Sequence, residues 1–157
     1  MKLLLTCLSL VWFTSVRAQI KIDDSGDGWK GLIEQSLLLI KTYDSSSYQR
    51  ILQTCTHIGF STSNFSTIEG NSTILIGRFD INSRNIHDIA AAIVHESNHL
   101  LILQRGIKLT ERDEEIACYF AELYFLMQIP NVEDWLIKHV TDQINIYNQI
   151  KDYEKTD

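Results

Sequence analysis

The stretch IHDIAAAIVHESNHLLILQ, residues 86–104, decides how this chain folds. Apolar residues surround it on nearly every side, with Ile89, Ala90, Ile93 and Val94 before its centre and Leu100 to Leu103 after it. A helix that is apolar all round belongs in an interior. Ser83 or Asn85 supplies an N-cap and Arg105-Gly106 a stop, so the pattern predicts one long buried helix. Yet its middle reads His95-Glu96-Ser97-Asn98-His99. Buried ionisable groups are costly unless they are paired or bound to metal. The i, i+4 spacing stacks both imidazoles on one face, one turn apart, where two nitrogens can converge on one ion. Glu96 lies beside that face and can reach a water on the ion without occupying a coordination position. The bland alternative, two exposed histidines on an ordinary helix, fits the apolar flanks poorly.

Working outward, Thr110 opens the next helix with a box-like Thr110-x-x-Asp113, and Pro130 closes it. Asn131 is expected to cap a last amphipathic helix to about Ile150, carrying Val132, Trp135, Leu136, Val140, Ile144 and Tyr147. Upstream, residues 73–80 (TILIGRFD) are β-branched and bounded by turn residues, which predicts a strand. Residues 61–72, rich in Ser, Thr and Asn, read as loop, with a short strand near 59–63. Leu32, Ile33, Leu37 and Ile40 recur at helical spacing over residues 29–40. A second helix is expected over 46–57, capped by Asp44 or Ser45. Residues 23–28 (DDSGDG) resemble part of a calcium loop but lack its spacing and terminal Glu, and read as a turn. The expectation is a helix-dominated α+β single domain with a small β-sheet.

The first 18 residues read as an export signal. Lys2 is followed by a mostly apolar run, and Val16 and Ala18 stand at the −3 and −1 positions of a cleavage site before Gln19. That run is shorter than the roughly 20 residues needed to span a bilayer. The mature domain would cover residues 19–157 and be secreted or periplasmic, with no membrane association once the signal is removed. The chain has 157 residues and a formal charge of −6, which becomes −8 when Lys2 and Arg17 leave with the signal. An acidic chain without a Lys/Arg cluster is a poor partner for nucleic acid. Cys55 and Cys118 remain after cleavage, either as one disulfide or as two buried thiols. Asn64-Phe-Ser and Asn71-Ser-Thr are sequons, meaningful in a eukaryotic source.

A catalytic zinc needs a third protein ligand and an open position. Residues 110–130 offer Glu111, Glu114, Glu115 and Glu122. At about 100° per residue, Glu111, Glu115 and Glu122 fall close together and read as a solvated acidic stripe. Glu114 falls with Ala117, Cys118, Ala121 and Phe125, where small residues permit close helix approach. The wheel therefore favours Glu114, with Glu115 as the alternative.

The HExxH, followed on the next helix by Glu114-Glu-Ile-Ala117-Cys-Tyr-Phe120-Ala121 and later Pro130, resembles the gluzincin metallopeptidases, in particular the ImmA/IrrE-type minimal peptidases. The likeness spans about residues 73–130. It implies a zincin-like active-site helix followed by a glutamate helix, one Zn2+ per chain held by His95, His99 and Glu114, and Glu96 as general base. The family often places Asp or Asn after the Ala, where this chain has Cys118. The activity implied is hydrolysis of peptide or protein substrates. For the oxyanion, Tyr119, Tyr124, His139 and His87 are the candidate donors. The strand at 73–78 could receive an extended substrate by strand addition, provided one of its edges is free. The competing account is a secreted metal-binding or interaction protein whose zincin-like site does not hydrolyse. A di-iron bundle would need a second Glu-x-x-His, which the chain lacks.

Overall fold

The structure, a computed structural model, describes residues 19–24 and 28–150. The expected signal segment lies outside the described residues. The elements in chain order are β1 (Lys21–Ile22), α1 (Trp29–Tyr43), α2 (Ser45–Thr54), β2 (His57–Phe60), β3 (Thr67–Glu69), β4 (Thr73–Ile76), α3 (Arg78–Ser83), α4 (Ile86–Gln104), α5 (Glu111–Leu126) and α6 (Asp134–Gln149). This is the expected α+β architecture, mostly helical with one small sheet.

The long apolar helix, α4, is the axis of the fold. Ile89, Ala90, Ala91, Ile93, Val94 and Leu100 are fully buried on it. Its neighbours are α1, α2, α3, α5 and the β3–β4 side of the sheet, which is why apolar residues are needed all round. Asn85 caps it, its Oδ1 accepting from the backbone N–H of His87 and Asp88. Gly106 takes φ 62 and ends it; the Ile107 N–H donates back to the Ile102 carbonyl. At that end the Gln104 side chain donates to the Thr54 and Asn71 carbonyls, tying α4 to the end of α2 and to the β3–β4 turn.

The sheet order is β1-β2-β4-β3. The first three strands are parallel and β3 runs antiparallel to β4. Ile58, Ile74 and Ile76 carry its buried face. The strand beginning at Thr73 is thus paired on both edges, which overturns the expectation that it receives an extended substrate. The outer edge belongs to β3, inside the segment expected to be loop. β4 also ends sooner than expected, at Ile76. Gly77 follows, and residues 78–83 coil into α3.

α2 ends at Thr54, short of the expected 57, and the short strand expected near 59–63 is β2 at His57–Phe60. Asp44 caps α2, accepting from the Ser47 N–H at 3.0 Å. Thr110 caps α5, accepting from the Asp113 N–H at 3.1 Å. Asn131 does not cap α6. It sits at φ 61 in the turn after Pro130, and Glu133 takes the cap position. The Glu133 carboxylate is drawn instead to Asn85 and His87 at the start of α4. Cys55 and Cys118 are both buried free thiols. Asn64 and Asn71 are both exposed.

Candidate metal centre

α5 returns alongside α4 so that His95 meets Glu122 and His99 meets Glu114. The two imidazoles present their Nε2 atoms to each other at 3.2 Å. The Glu115 carboxylate faces both, with Oε2 at 3.5 Å from His95 Nε2 and Oε1 at 3.5 Å from His99 Nε2. Donors bonded at about 2.1 Å to a tetrahedral ion stand about 3.4 Å apart. The two Nε2 atoms stand close to that spacing, and each faces a different oxygen of Glu115, so two imidazoles and one carboxylate gather where a metal ion could be held. His95 and His99 with Cys118 also form a group that can hold a metal ion, their ligand atoms lying within 4.8 Å of one another. Cys118 approaches from the core, where it is fully buried, and Glu115 approaches from the cleft.

Glu114 and Glu115, the two candidates for third ligand, stand differently toward the rings. Glu114 Oε1 lies 2.7 Å from His99 Nδ1, on the far side of the ring from the convergence point. Glu115, assigned by the wheel to a solvated stripe, points at that convergence point. Glu122 was placed on the same stripe and is buried, with Oε2 at 3.1 Å from His95 Nδ1. The wheel erred because α5 has two inward sides, one facing the core and one the cleft. Its solvent side carries Phe120 and Tyr124, which are exposed despite being apolar. The available signal was the seven-residue spacing of Glu115 and Glu122, which puts both on one face two turns apart.

Glu96 is only 6% exposed, lines the same cleft and has no hydrogen-bond partner among the described residues. Burial pushes its carboxyl above the usual range, against the pull of the two histidines. For His95, burial opposes the charged ring, but Glu115 and Glu122 overcome this and raise its pKa above the ordinary value. Glu115 feels burial in the upward direction too, and its contacts with His95 and His99 bring it below the usual range.

These groups line a cleft of about 740 Å³. One wall is α4 and α5. Thr67 and Ile68 of the outer strand β3 form another, and His139, Gln143 and Tyr147 of α6 a third. Asp80, Asp88, Glu96, Glu114, Glu115 and Glu122 line it, and among the described residues no Lys or Arg does. Burial pushes the Asp88 carboxyl up to about 6. Of the oxyanion candidates, Tyr119 and His139 line the cleft, and the Tyr119 ring packs edge-on against His95 at 4.5 Å. Tyr124 is exposed on the outer face of α5, and His87 is held by Glu133 at 2.8 Å, so neither reaches the site. Tyr147, read from sequence as a packing residue, also borders the cleft.

No protein-family model, curated protein or solved structure matches this chain.

Proposed function

We propose that the protein is an exported zinc-dependent metallopeptidase of gluzincin type, with His95, His99 and Glu115 as metal ligands and Glu96 as general base. The observation that carries this reading is the convergence of His95, His99 and the Glu115 carboxylate, with a buried Glu96 beside them in an open cleft. A zinc ion held there would supply a Lewis acid that acidifies water and polarises a carbonyl.

The chain's own residues would do the rest. Glu96 takes the proton of the attacking water, a transfer that its raised pKa favours, and hands it to the leaving amine. Tyr119 and His139, which line the cleft, are the candidate donors to an oxyanion. The outer edge of β3 offers backbone groups to an extended peptide laid along the cleft. The six carboxylates in the lining favour peptides with basic side chains.

A second reading rests on Cys118. A thiol among the donors would close the coordination sphere and leave a metal-binding protein without hydrolytic activity. Digestion of a mixed peptide library by the zinc-loaded mature chain, read by mass spectrometry, separates the two. Cleavage that disappears in Glu96→Gln while zinc is retained supports the peptidase. Bound zinc with no cleavage of any peptide supports the closed site.

A further inference from the structure

Glu114 and Glu122 have no task in the hydrolytic scheme, yet each sits on the outer nitrogen of one imidazole. We propose that they are a pair of positioning residues, one per histidine, that hold both rings with hydrogen on Nδ1 and the Nε2 lone pair turned inward, and that they thereby set the affinity of the site for metal. The proposal rests on the metal-centre reading above and adds a role that the ligand set alone does not require.

A carboxylate offers only lone pairs, so the ring nitrogen facing it must be the donor. A neutral imidazole carries one N–H. With Nδ1 donating to Glu122 in His95 and to Glu114 in His99, both Nε2 atoms are left as acceptors. These two acceptors stand 3.2 Å apart with the Glu115 carboxylate facing them. With both rings neutral, three lone-pair groups pointing at one another repel unless a cation lies between them, and a metal ion competes there with a second proton on a ring. A free histidine would escape by moving its hydrogen to Nε2, and each outer carboxylate removes that escape. One helix, α5, therefore supplies the third ligand and both orienting partners.

The two partners are not equal. The side chains of Glu122 and His95 are each 9% exposed, whereas Glu114 is 31% exposed. A charge-assisted hydrogen bond counts for more where water is excluded. His95 is also braced by the Tyr119 ring edge. Glu122 is thus the stronger determinant. Loss of an outer partner typically weakens metal binding by about 10- to 100-fold. Glu122→Ala is expected near the upper end and Glu114→Ala near the lower. The corresponding Gln variants should recover part of the loss, because an amide oxygen still accepts from Nδ1–H.

The test uses the mature chain and two probes, Zn2+ titrated against a chromophoric chelator and Co2+ read by its visible absorption. Melting of the metal-free proteins is followed in parallel. The expected result is weaker Zn2+ binding in the order Glu122→Ala, then Glu114→Ala, then the Gln variants, with the cobalt spectrum unchanged in shape at saturation. A structural role would lower the melting point and leave the affinity of the folded protein as it was. The proposal is overturned if affinities stay within about 3-fold of the parent, or if Gln does no better than Ala. It is also overturned if the cobalt spectrum of Glu114→Ala shows a lost ligand. Should Glu122→Ala fail to fold, Glu122→Gln and Glu114→Ala decide it. Absence of Zn2+ and Co2+ binding by the parent chain overturns the metal-centre reading itself, and this proposal with it.

Discussion

Replacing Gly77 with Ala should destabilise the domain and disturb the cleft together. Gly77 has φ −75, so backbone strain is not the reason for glycine here. Space is: an added Cβ would lie 2.2 Å from the Phe65 carbonyl carbon and 2.5 Å from the Ser66 nitrogen, both backbone atoms. Backbone cannot swing aside as a side-chain tip can, so the 65–66 segment must retreat by on the order of 1 Å to reach ordinary contact. Overpacking of this kind costs about 1–3 kcal/mol. The retreat also pulls on two hydrogen bonds, Gly77 N–H to Ser66 Oγ at 2.9 Å and Ser66 Oγ to Asp80 at 2.5 Å. Each contributes about 1 kcal/mol. A total of about 3 kcal/mol corresponds to a fall in melting temperature of about 10 °C for a domain of this size. Calorimetry of Gly77→Ala beside Ser66→Ala separates the terms, because the second variant loses the hydrogen bonds without the clash and should fall by about half as much. Phe65 and Ser66 line the cleft, so peptide turnover should decline in both variants. A melting temperature for Gly77→Ala within about 2 °C of the parent would refute the close-approach argument.

Glu96→Gln should retain metal and lose about 100- to 10,000-fold in kcat, the range for removing a general base; peptide turnover and metal analysis on the same sample check it. Burial pushes the Asp44 carboxyl up, but the hydroxyls of Ser46 and Ser47 and the Ser47 N–H outweigh it and hold the pKa below the usual range. Its stabilising effect is therefore present above the unfolded value of about 3.9 and lost as pH falls through the folded one. Asp44→Ala should cost about 1 kcal/mol at neutral pH and progressively less in acid, as denaturant melts across pH would show. Phe125 is fully buried on α5, and Phe125→Ala should cost about 3–5 kcal/mol by chemical denaturation. Peptides carrying Lys or Arg near the scissile bond should be cleaved faster than acidic ones at low salt, and the preference should shrink as salt rises.

The sequence made α4 legible because burial, capping and breaking signals agree along one local stretch from Asn85 to Gly106. The same agreement holds for the Asp44 and Thr110 caps. Three features depended on contacts that lie far apart in sequence. β3 is three residues long in a segment rich in Ser, Thr and Asn, and only its pairing with β4 makes it a strand. Asn131 is a good cap by type, yet the turn after Pro130 places it at positive φ. Glu114 and Glu115 both line the cleft, and what distinguishes them is the ring nitrogen each faces, Nδ1 of His99 for Glu114 and the two Nε2 atoms for Glu115. Local chemistry located the histidines and the helix that meets them. The rotation of that helix is set by tertiary packing, which a wheel drawn on one helix does not contain.

The most direct measurement is zinc per protein by mass spectrometry on the mature chain purified without chelator, with His95→Ala, Glu115→Ala, Glu114→Ala and Glu96→Gln alongside. The account predicts one zinc in the parent and in Glu96→Gln, none in His95→Ala and Glu115→Ala, and zinc regained at higher concentration in Glu114→Ala. No zinc in the parent after reconstitution, or a site that survives Glu115→Ala and is abolished by Glu114→Ala, would contradict it.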